Sequence, residues 1–448
     1  MDPSAYRPIS NIPVMGKLFK KLLYNYIISR VEPKLSNNQH GVRKFRSCMT
    51  ANAVFSSFVF KSIDKRNSNC GALFIDLKRA FDFVDPFLLL KAMHEKYNLN
   101  SNLLALLANF CLSRNFQIRI GNFTSANYVF NSACLQGSTL APLLFMLFFD
   151  QISECISLGY LLFADDLVIF TSSTSSTDIV CNLNSALSDF NAWCLKNNLV
   201  INFSKTKWML FSKTSCHTDD ACQVSYENVA IERVANFKYL GVFFDERLSF
   251  IDHFEHVFNK LCSATTWILK IKRFLNSSLF RSLLHAFIFS HIDYCFPIWG
   301  SLHDKYLCKL ENKINHLLLA YFEPSLFRKY GKNWKAHWDP NSTLNKIGVL
   351  NVRERYRFHV LDFTFKILKF SSSVSELQNF FSFSRTSTRQ LLTRTGHSSK
   401  LFERSLIFQG EKLWNSLPTA LRDINITLTK FRLYIFTYLQ SQKLCLYV

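Results

Sequence analysis

Two adjacent aspartates inside an apolar segment constrain the fold of this chain more than any other sequence feature. Asp165 and Asp166 interrupt the apolar run of residues 161–170 in GYLLFADDLVIFTSS. Burial of an uncompensated carboxylate is costly, so the pair must either reach water in a turn or share a cation. The run is too short for a typical helix, and we expect a β-hairpin with residues 164–166 at or near its tip.

A third aspartate also follows an apolar run. Asp76 lies within CGALFIDLKRAF (70–81), a segment that predicts a buried strand. Taken alone, an aspartate at the end of a strand is explained by a turn or by capping of the next helix. Asp76 and the Asp165–Asp166 pair together indicate neighbouring strands whose ends converge on a divalent cation. Mg²⁺ prefers such oxygen ligands, completed by water and substrate phosphates.

Apolar periodicity predicts helices on both sides of these strands. Asp85 is placed to cap one helix, with Pro86 in its first turn. A long buried helix is expected within 139–156, and short strands within 116–130, 207–212 and 237–244. Two amphipathic helices should bury one face each; the first face holds Leu18, Leu22, Leu23 and Ile27, and the second Val180, Leu183, Leu187, Phe190 and Cys194.

The charge balance points to a polyanionic partner. Lys and Arg outnumber Asp and Glu by 53 to 32, which gives a formal charge of +21. Such a balance favours nucleic acid or an anionic membrane surface. No apolar run reaches the roughly 18 residues that span a bilayer. The absence of a signal peptide and thirteen dispersed cysteines without a CxxC pair favour an intracellular protein, in the nucleus, the cytoplasm or both.

The second half of the chain differs in composition from the first. Beyond residue 250 the pattern becomes helical and basic, and residues 371–400 are rich in Ser and Thr. That composition is typical of a linker or flexible arm. We therefore expect four parts: residues 1–250, a helical region at 251–370, a linker at 371–400 and a small helical segment at 401–448.

Seven segments of the chain occur in the order of the motifs of one enzyme family. They are YRPISNIPVMGKLFKKLL, NQHGVRKFRS, LFIDLKRAFDFVD, QGSTLAPLLF, LLFADDLVIF, NFSKTKWMLF and FKYLGVFFD. The chain resembles the reverse transcriptases, and most of all those of jockey-like non-LTR retrotransposons. The resemblance is strong over residues 6–250 and looser beyond. Because the chain starts almost at the first of these motifs, we expect a copy truncated at its N-terminus.

The resemblance implies a fold, an activity and a set of partners. The fold would be a right-hand polymerase with fingers, a thumb and an antiparallel palm sheet, in which residues 1–250 form fingers and palm and 251–370 the thumb or connection. The activity would be RNA-directed DNA polymerisation. Two Mg²⁺ ions would serve as cofactors, with Mn²⁺ as the alternative cation. The partners would be an RNA template, a DNA primer and deoxynucleoside triphosphates, without a membrane.

The resemblance also assigns metal-binding and acid–base roles. Asp76 and Asp165 match the acids that hold both metals in the family, and the carbonyl of Leu77 would add a ligand. Asp166 matches the second hairpin acid, which supports the site. Lys205 falls where the family has a lysine able to protonate the leaving pyrophosphate, with Lys207 as the alternative.

A second group of residues would bind the nucleotide. Phe81 lies where an aromatic ring packs beneath the incoming sugar and excludes a 2′-hydroxyl. Glycine permits close approach of the backbone to a base or phosphate, and an amide can both donate and accept. The pair that contacts nucleotide and template is Gln136 and Gly137, and the basic loop that clamps the triphosphate holds Arg43, Lys44 and Arg46.

Departures from the family pattern leave a second function open. Val42 and Phe45 stand where the family usually has phenylalanine and glycine, Ala141 where it often has glycine, and Phe163 where tyrosine is common. These substitutions and the early start of the chain motivate a catalytically inactive copy that only binds nucleic acid. Such a protein would bind RNA in a salt-sensitive way and incorporate no nucleotide.

Overall fold

Helices and short strands are mixed in the described part of residues 1–250, and the described elements beyond residue 250 are helices. The computed structural model describes residues 9–112, 114–130, 133–134, 137–213, 223–227, 229–330, 338–370, 375–384 and 390–442. The α-helices are α1 Val14–Val31, α2 Cys48–Asp64, α3 Pro86–Glu95, α4 Ser101–Cys111, α5 Ala141–Phe149, α6 Ser176–Lys196, α7 Ile251–Ile271, α8 Ser277–Leu283, α9 Ser290–Asp293, α10 Phe296–Trp299, α11 Asp304–Phe322, α12 Pro324–Tyr330, α13 Pro340–Lys346, α14 Val352–Lys369, α15 Ser375–Gln378, α16 Leu406–Ser416 and α17 Leu428–Ser441.

The strands are short, and most pair with antiparallel neighbours. They are β1 Asn69–Ile75, β2 Arg114–Phe116, β3 Arg119–Ile120, β4 Phe123–Thr124, β5 Tyr128–Phe130, β6 Gly159–Phe163, β7 Asp166–Ser173, β8 Lys207–Phe211, β9 Ser225–Tyr226, β10 Val229–Ala230, β11 Glu232–Arg233, β12 Asn236–Tyr239 and β13 Val242–Asp245. This mixture of helices with an antiparallel-rich sheet confirms the predicted α+β class.

Chain contacts divide the protein into two compact units. Unit 1 comprises Met1–Ala51 and Asn67–Ala235, and unit 2 comprises Asn52–Arg66 and Asn236–Val448. The hairpin of β12 and β13, which we expected in the first 250 residues, therefore belongs to unit 2. The division into four parts remains a prediction.

A five-stranded sheet organises the described part of unit 1. Its order is β11-β8-β1-β7-β6, and each pair is antiparallel except β11 with β8. β1 lies at the centre, and its residues from Cys70 to Ile75 are buried. Apolar side chains from α5 and α6 join those of β1 and β7 in one core. The strands that carry the aspartates are therefore anchored in this core.

The predicted hairpin is confirmed. Phe163 pairs with Asp166, so Ala164 and Asp165 form a two-residue turn between β6 and β7. Ala164 has a φ of 56°, the positive value that short hairpin turns require. The apolar flanks are buried, whereas the turn reaches the surface, and this position accommodates the charges that the sequence places in an apolar run.

Most of the predicted helices of unit 1 are confirmed. The Asp85 carboxylate accepts hydrogen bonds from the amides of Phe87 and Leu88 at the start of α3. The five apolar residues predicted to share a face of α6 are all buried. The predicted face of α1 is partly wrong: Leu23 and Ile27 are buried, but Leu18 and Leu22 are 54% and 62% exposed. The apolar residues form adjacent rows; the row of Leu23, Ile27 and Val31 is buried, whereas the row of Leu18 and Leu22 is exposed.

The described part of unit 2 is mainly helical, as predicted beyond residue 250. Its helix α14 begins with a capping box between Asn351 and Glu354. Phe365 of this helix stacks on Phe431 of α17 at a ring distance of 4.0 Å. No helix among the described residues is long and apolar enough to cross a membrane.

Within the linker predicted at 371–400, the structure describes residues 375–384 and 390–400, and several of their apolar side chains are buried. Leu377, Phe380 and Leu392 are buried. Thr395 donates to the Glu411 carboxylate through its amide and its hydroxyl. The assignment of 371–400 as a linker rests on its Ser and Thr content and stays a prediction.

Candidate active site

The pairing of β1 with β7 brings two of the predicted acids to one end of the sheet. Ile75 pairs with Leu167 as the last pair of the ladder. The next residues on the two strands are Asp76 and Asp166, so they occupy facing positions just beyond it. Asp165 precedes Asp166 in the hairpin turn. Asp76 and the distant pair Asp165 and Asp166 therefore lie at the same end of the sheet.

The electrostatics of Asp166 reflect this crowding. Burial of the carboxyl group raises its pKa to about 6, and the negative charges of Asp165 and Asp76 add to the shift. Burial is only partial, because the residue keeps an exposed surface. This edge of the sheet therefore carries an excess of negative charge that a cation would neutralise.

The ligand chemistry suits a hard divalent cation, which takes carboxylate and carbonyl oxygens. Within the described residues, however, no three His, Cys, Asp or Glu side chains are grouped closely enough to hold a metal ion. The acids lie at the same end of the sheet, but their carboxylates are not arranged around one common metal position.

The backbone around Leu77 is held by residues 200–202. Leu77 forms an isolated antiparallel bridge with Ile201. The flanking hydrogen bonds use the carbonyl of Asp76 and the amide of Lys78, which bond to Asn202 and Val200. Successive carbonyls alternate in direction along an extended chain. The carbonyl of Leu77 therefore faces away from Ile201.

Asn202 contacts Asp76 directly, and the sequence analysis missed it. Its side-chain nitrogen Nδ2 donates to Asp76 Oδ2 at 2.9 Å. Its backbone amide donates to the Asp76 carbonyl at 2.8 Å. Its position in NFSKT, at the start of a polar turn before a strand, gives little indication of this contact.

The two lysines considered for proton transfer differ in their surroundings. Lys205 is exposed, and its backbone amide donates to the carbonyl of Asn202 at 3.1 Å. Lys207 instead pairs with Glu232, with 2.5 Å between Nζ and Oε2. Lys207 is thus engaged in linking β8 to β11, which leaves Lys205 as the better candidate.

Phe81 lies on an aromatic support. Its ring stacks on Phe145 of α5 with centroids 4.3 Å apart and planes 17° from parallel. Phe145 is fully buried, whereas Phe81 is half-buried. One ring therefore fixes the other at the edge of the core.

The segment before α5 is described only in part. Gly137 has a φ of 92°, and a Cβ on it would stand 3.0 Å from the carbonyl oxygen of Ser10. A glycine is required there by both its conformation and its close neighbour. Gln136, the other member of the predicted pair, lies outside the described residues.

The basic loop before α2 contains two inward-facing arginines. The Arg43 guanidinium pairs with Glu32 at 2.9 Å and donates to the Ser36 carbonyl at 2.6 Å. Arg46 is buried and donates to the carbonyl of Asn37. Lys44 is exposed. Of the three residues predicted to clamp a triphosphate, Lys44 is the one whose charge faces solvent.

The same loop forms hydrogen bonds with β6, the outer strand of the sheet. The amide of His40 donates to the Leu162 carbonyl at 2.7 Å, and the amide of Leu162 donates to the Asn38 carbonyl at 2.9 Å. These bonds fasten the loop to β6 just before the turn that carries Asp165. The loop thus fixes the position of the hairpin tip.

Two known proteins that are similar to this chain are named as RNA-directed DNA polymerases of mobile elements. The chain is 26% identical to the RNA-directed DNA polymerase from mobile element jockey of Drosophila funebris, over 69% of this chain and 35% of that protein. It is 27% identical to the "Probable RNA-directed DNA polymerase from transposon X-element" of Drosophila melanogaster, over 71% of this chain and 36% of that protein. The chain thus spans about a third of the length of these relatives.

Among solved structures, telomerase from Candida tropicalis in complex with a fragment of telomeric RNA aligns with a TM-score of 0.37 and 10% identity, over 82% of this chain and 56% of that one. The family model for reverse transcriptase (RNA-dependent DNA polymerase) matches residues 2–244. That match covers more than half of the 448 residues and includes Asp76, Asp165 and Asp166. The chain therefore belongs to the reverse transcriptase family.

Proposed function

We propose that this chain is an RNA-directed DNA polymerase of a non-LTR retrotransposon, which adds deoxynucleotides to the 3′-hydroxyl of a primer on an RNA template. The observation that carries the proposal is the meeting of Asp76, Asp165 and Asp166 at one end of the central sheet in a member of this family. The formal charge of +21 is consistent with nucleic-acid partners.

In this proposal the sheet of unit 1 is the palm of a right-hand polymerase. The basic loop that fastens to β6 belongs to the fingers, and the helical region beyond residue 250 contains the thumb. Aromatic and basic side chains of that region would contact the template–primer duplex, by stacking on bases and by pairing with phosphates.

Two divalent cations, Mg²⁺ or Mn²⁺, would be held by Asp76, Asp165 and the Leu77 carbonyl, with Asp166 in support. When bound, such ions activate the attacking hydroxyl and neutralise the leaving pyrophosphate. Closure of the carboxylates around them would require the cation's own charge, because the acids repel one another without it.

The remaining residues would position the nucleotide and move a proton. Phe81, supported by Phe145, would lie beneath the sugar and exclude ribonucleotides. Gln136 and Gly137 would contact the base and template. Lys44 would attract the triphosphate, and Lys205 would protonate the leaving group. Such positioning and charge neutralisation supply most of the catalysis in phosphoryl transfer.

Primer extension on an RNA template with Mg²⁺ tests the proposal. We expect the wild-type chain to extend the primer. The rate of Asp165→Asn should be lower by at least about 100-fold, which corresponds to a loss of about 2.7 kcal/mol in transition-state stabilisation. Asp189→Asn removes an exposed acid of α6 and is the matched control. Salt-sensitive RNA binding without any extension by the wild type would instead establish the binding-only function.

A further inference from the structure

Asp76 differs from Asp150 and Asp362, the two aspartates that are buried in the described part of the chain, in the partner that its side chain contacts. Asp150 lies 2.9 Å from Lys96 Nζ, and Asp362 lies 2.6 Å from Arg432 Nε. Those acids are neutralised by cationic side chains and have structural roles. In the described part of the chain, the side-chain partner of Asp76 is the neutral amide of Asn202.

An amide donor orients a carboxylate without neutralising it. Asn202 Nδ2 bonds one carboxylate oxygen, Oδ2, at 2.9 Å. Because the amide carries no net charge, this contact does not neutralise the carboxylate, and the second oxygen of Asp76 is not engaged by Asn202. A lysine or arginine at this position would compete directly with a bound cation.

The orientation of the Asn202 amide is fixed by its own neighbours. Ser204 Oγ donates to Asn202 Oδ1 at 2.8 Å. With the oxygen engaged there, the nitrogen must face the carboxylate, which can only accept. The Asn202 carbonyl accepts from the Thr206 amide at 2.9 Å and from its hydroxyl at 3.0 Å. The turn of residues 202–206 therefore holds the side chain in one position.

The same turn also holds the backbone of Asp76. The Asn202 amide donates to the Asp76 carbonyl at 2.8 Å, and the Asp76 amide donates to Thr206 Oγ1 at 3.4 Å. Thr206 is fully buried, so this contact belongs to the core. Backbone and carboxylate of Asp76 are thus fixed by one segment.

We propose that Asn202 is a positioning residue, which sets the carboxylate of Asp76 for a divalent cation while leaving its charge intact. This inference rests on the proposed function, because it assumes that Asp76 binds the cation. Hydrogen-bond partners of metal ligands typically change metal affinity or activity by about 10–100-fold when they are removed.

Mn²⁺ binding to the full chain, measured by electron paramagnetic resonance without nucleotide, tests the inference apart from activity. We expect Asn202→Ala to weaken Mn²⁺ binding by about 10–100-fold. Asn202→Ser keeps a short polar group in the turn but cannot reach Asp76, and it should weaken binding similarly while preserving the fold. Asn197→Ala is the control, since the Asn197 side chain donates to the Trp193 carbonyl, away from the acids.

Primer extension adds a second measurement. The Mg²⁺ concentration that gives half the maximal rate should rise by about the same factor in both Asn202 variants, and excess Mg²⁺ should restore much of the rate. A purely structural role would lower the unfolding temperature without moving this concentration.

Comparison with Asp76→Asn separates failure of the inference from failure of the proposed function. If Asp76→Asn abolishes Mn²⁺ binding while both Asn202 variants bind like the wild type, the positioning role is wrong and the metal site stands. If Asp76→Asn binds Mn²⁺ with wild-type affinity, or if the wild type binds none, the metal assignment is wrong and the role of Asn202 is excluded with it.

Discussion

Gly41 packs directly against the turn residue Ala164, so that a Cβ atom on Gly41 would stand 2.5 Å from the Ala164 amide nitrogen. This atom belongs to backbone and cannot move aside alone. Gly41→Ala should therefore displace the hairpin that carries Asp165, at a cost of about 1–3 kcal/mol in the free energy of unfolding. It should also reduce primer extension by more than the loss of folded protein explains.

Urea unfolding and extension rates per folded molecule measure both effects of Gly41→Ala. The control is Gly396→Ala, because a Cβ at Gly396 meets no atom within 4 Å. If Gly41→Ala extends the primer at the wild-type rate per folded molecule, the loop does not determine the position of the hairpin.

Arg43 and Lys44 are neighbours whose substitution should have opposite consequences. Arg43 is held by Glu32 and the Ser36 carbonyl, so Arg43→Ala should destabilise the fold by about 2 kcal/mol. Lys44 is exposed, and Lys44→Ala should change stability by less than about 0.5 kcal/mol.

The nucleotide KM distinguishes these two residues. It should rise several-fold for Lys44→Ala, because the triphosphate loses an attracting charge. A rise in KM for Arg43→Ala alone, at unchanged stability, would contradict the placement of the two side chains.

Phe81 should determine the choice of sugar. Its ring is fixed by stacking on Phe145. Phe81→Val removes the outer part of the ring, and we expect the ratio of ribonucleotide to deoxynucleotide incorporation to rise at least tenfold. Single-nucleotide extension with each substrate gives this ratio. Leu88→Val, a change at a half-buried apolar residue of α3, is the control. An unchanged ratio in Phe81→Val would remove Phe81 from the nucleotide site.

Asp293 should make unit 2 sensitive to acid. Burial alone would raise its pKa, but hydrogen bonds from His359 and Arg355 and their charges outweigh burial and lower the pKa from 3.8 to about 2. Because the folded pKa is the lower one, the stabilisation is complete above pH 3.8 and is lost as pH falls towards 2. It amounts to about 2 kcal/mol at neutral pH.

Asp293→Asn should therefore lower the free energy of unfolding near pH 7, and its difference from the wild type should shrink below about pH 4. Asp304→Asn, which removes an exposed partner of Arg353 at 3.4 Å, should have little effect at any pH. A difference for Asp293→Asn that does not vary with pH would contradict this account.

The sequence predicted those features that depend on local pattern. The hairpin, the cap at Asp85 and the buried face of α6 follow from turn residues and apolar spacing, and each is confirmed. The facing of Asp76 and Asp166 required the additional assumption that their strands are neighbours.

Other features depended on tertiary contacts that no local pattern records. Leu18 and Leu23 are equally apolar, and only packing decides which is buried. Arg43 and Lys44 have the same charge, and the position of Glu32 decides which one turns inward. The contact of Asn202 with Asp76 joins distant segments, so a single polar residue in a turn gave little indication of it.

The shared cation is tested most directly by replacing Mg²⁺ with Fe²⁺, adding hydrogen peroxide and ascorbate, and mapping the backbone cleavage by the hydroxyl radicals that form where the bound Fe²⁺ reduces peroxide. We expect cuts in two separate segments, around Asp76 and around Asp165, with the same dependence on Fe²⁺ concentration, and we expect both to disappear in Asp76→Asn. Cleavage around only one of these aspartates, or cleavage that persists in Asp76→Asn, would contradict a common site.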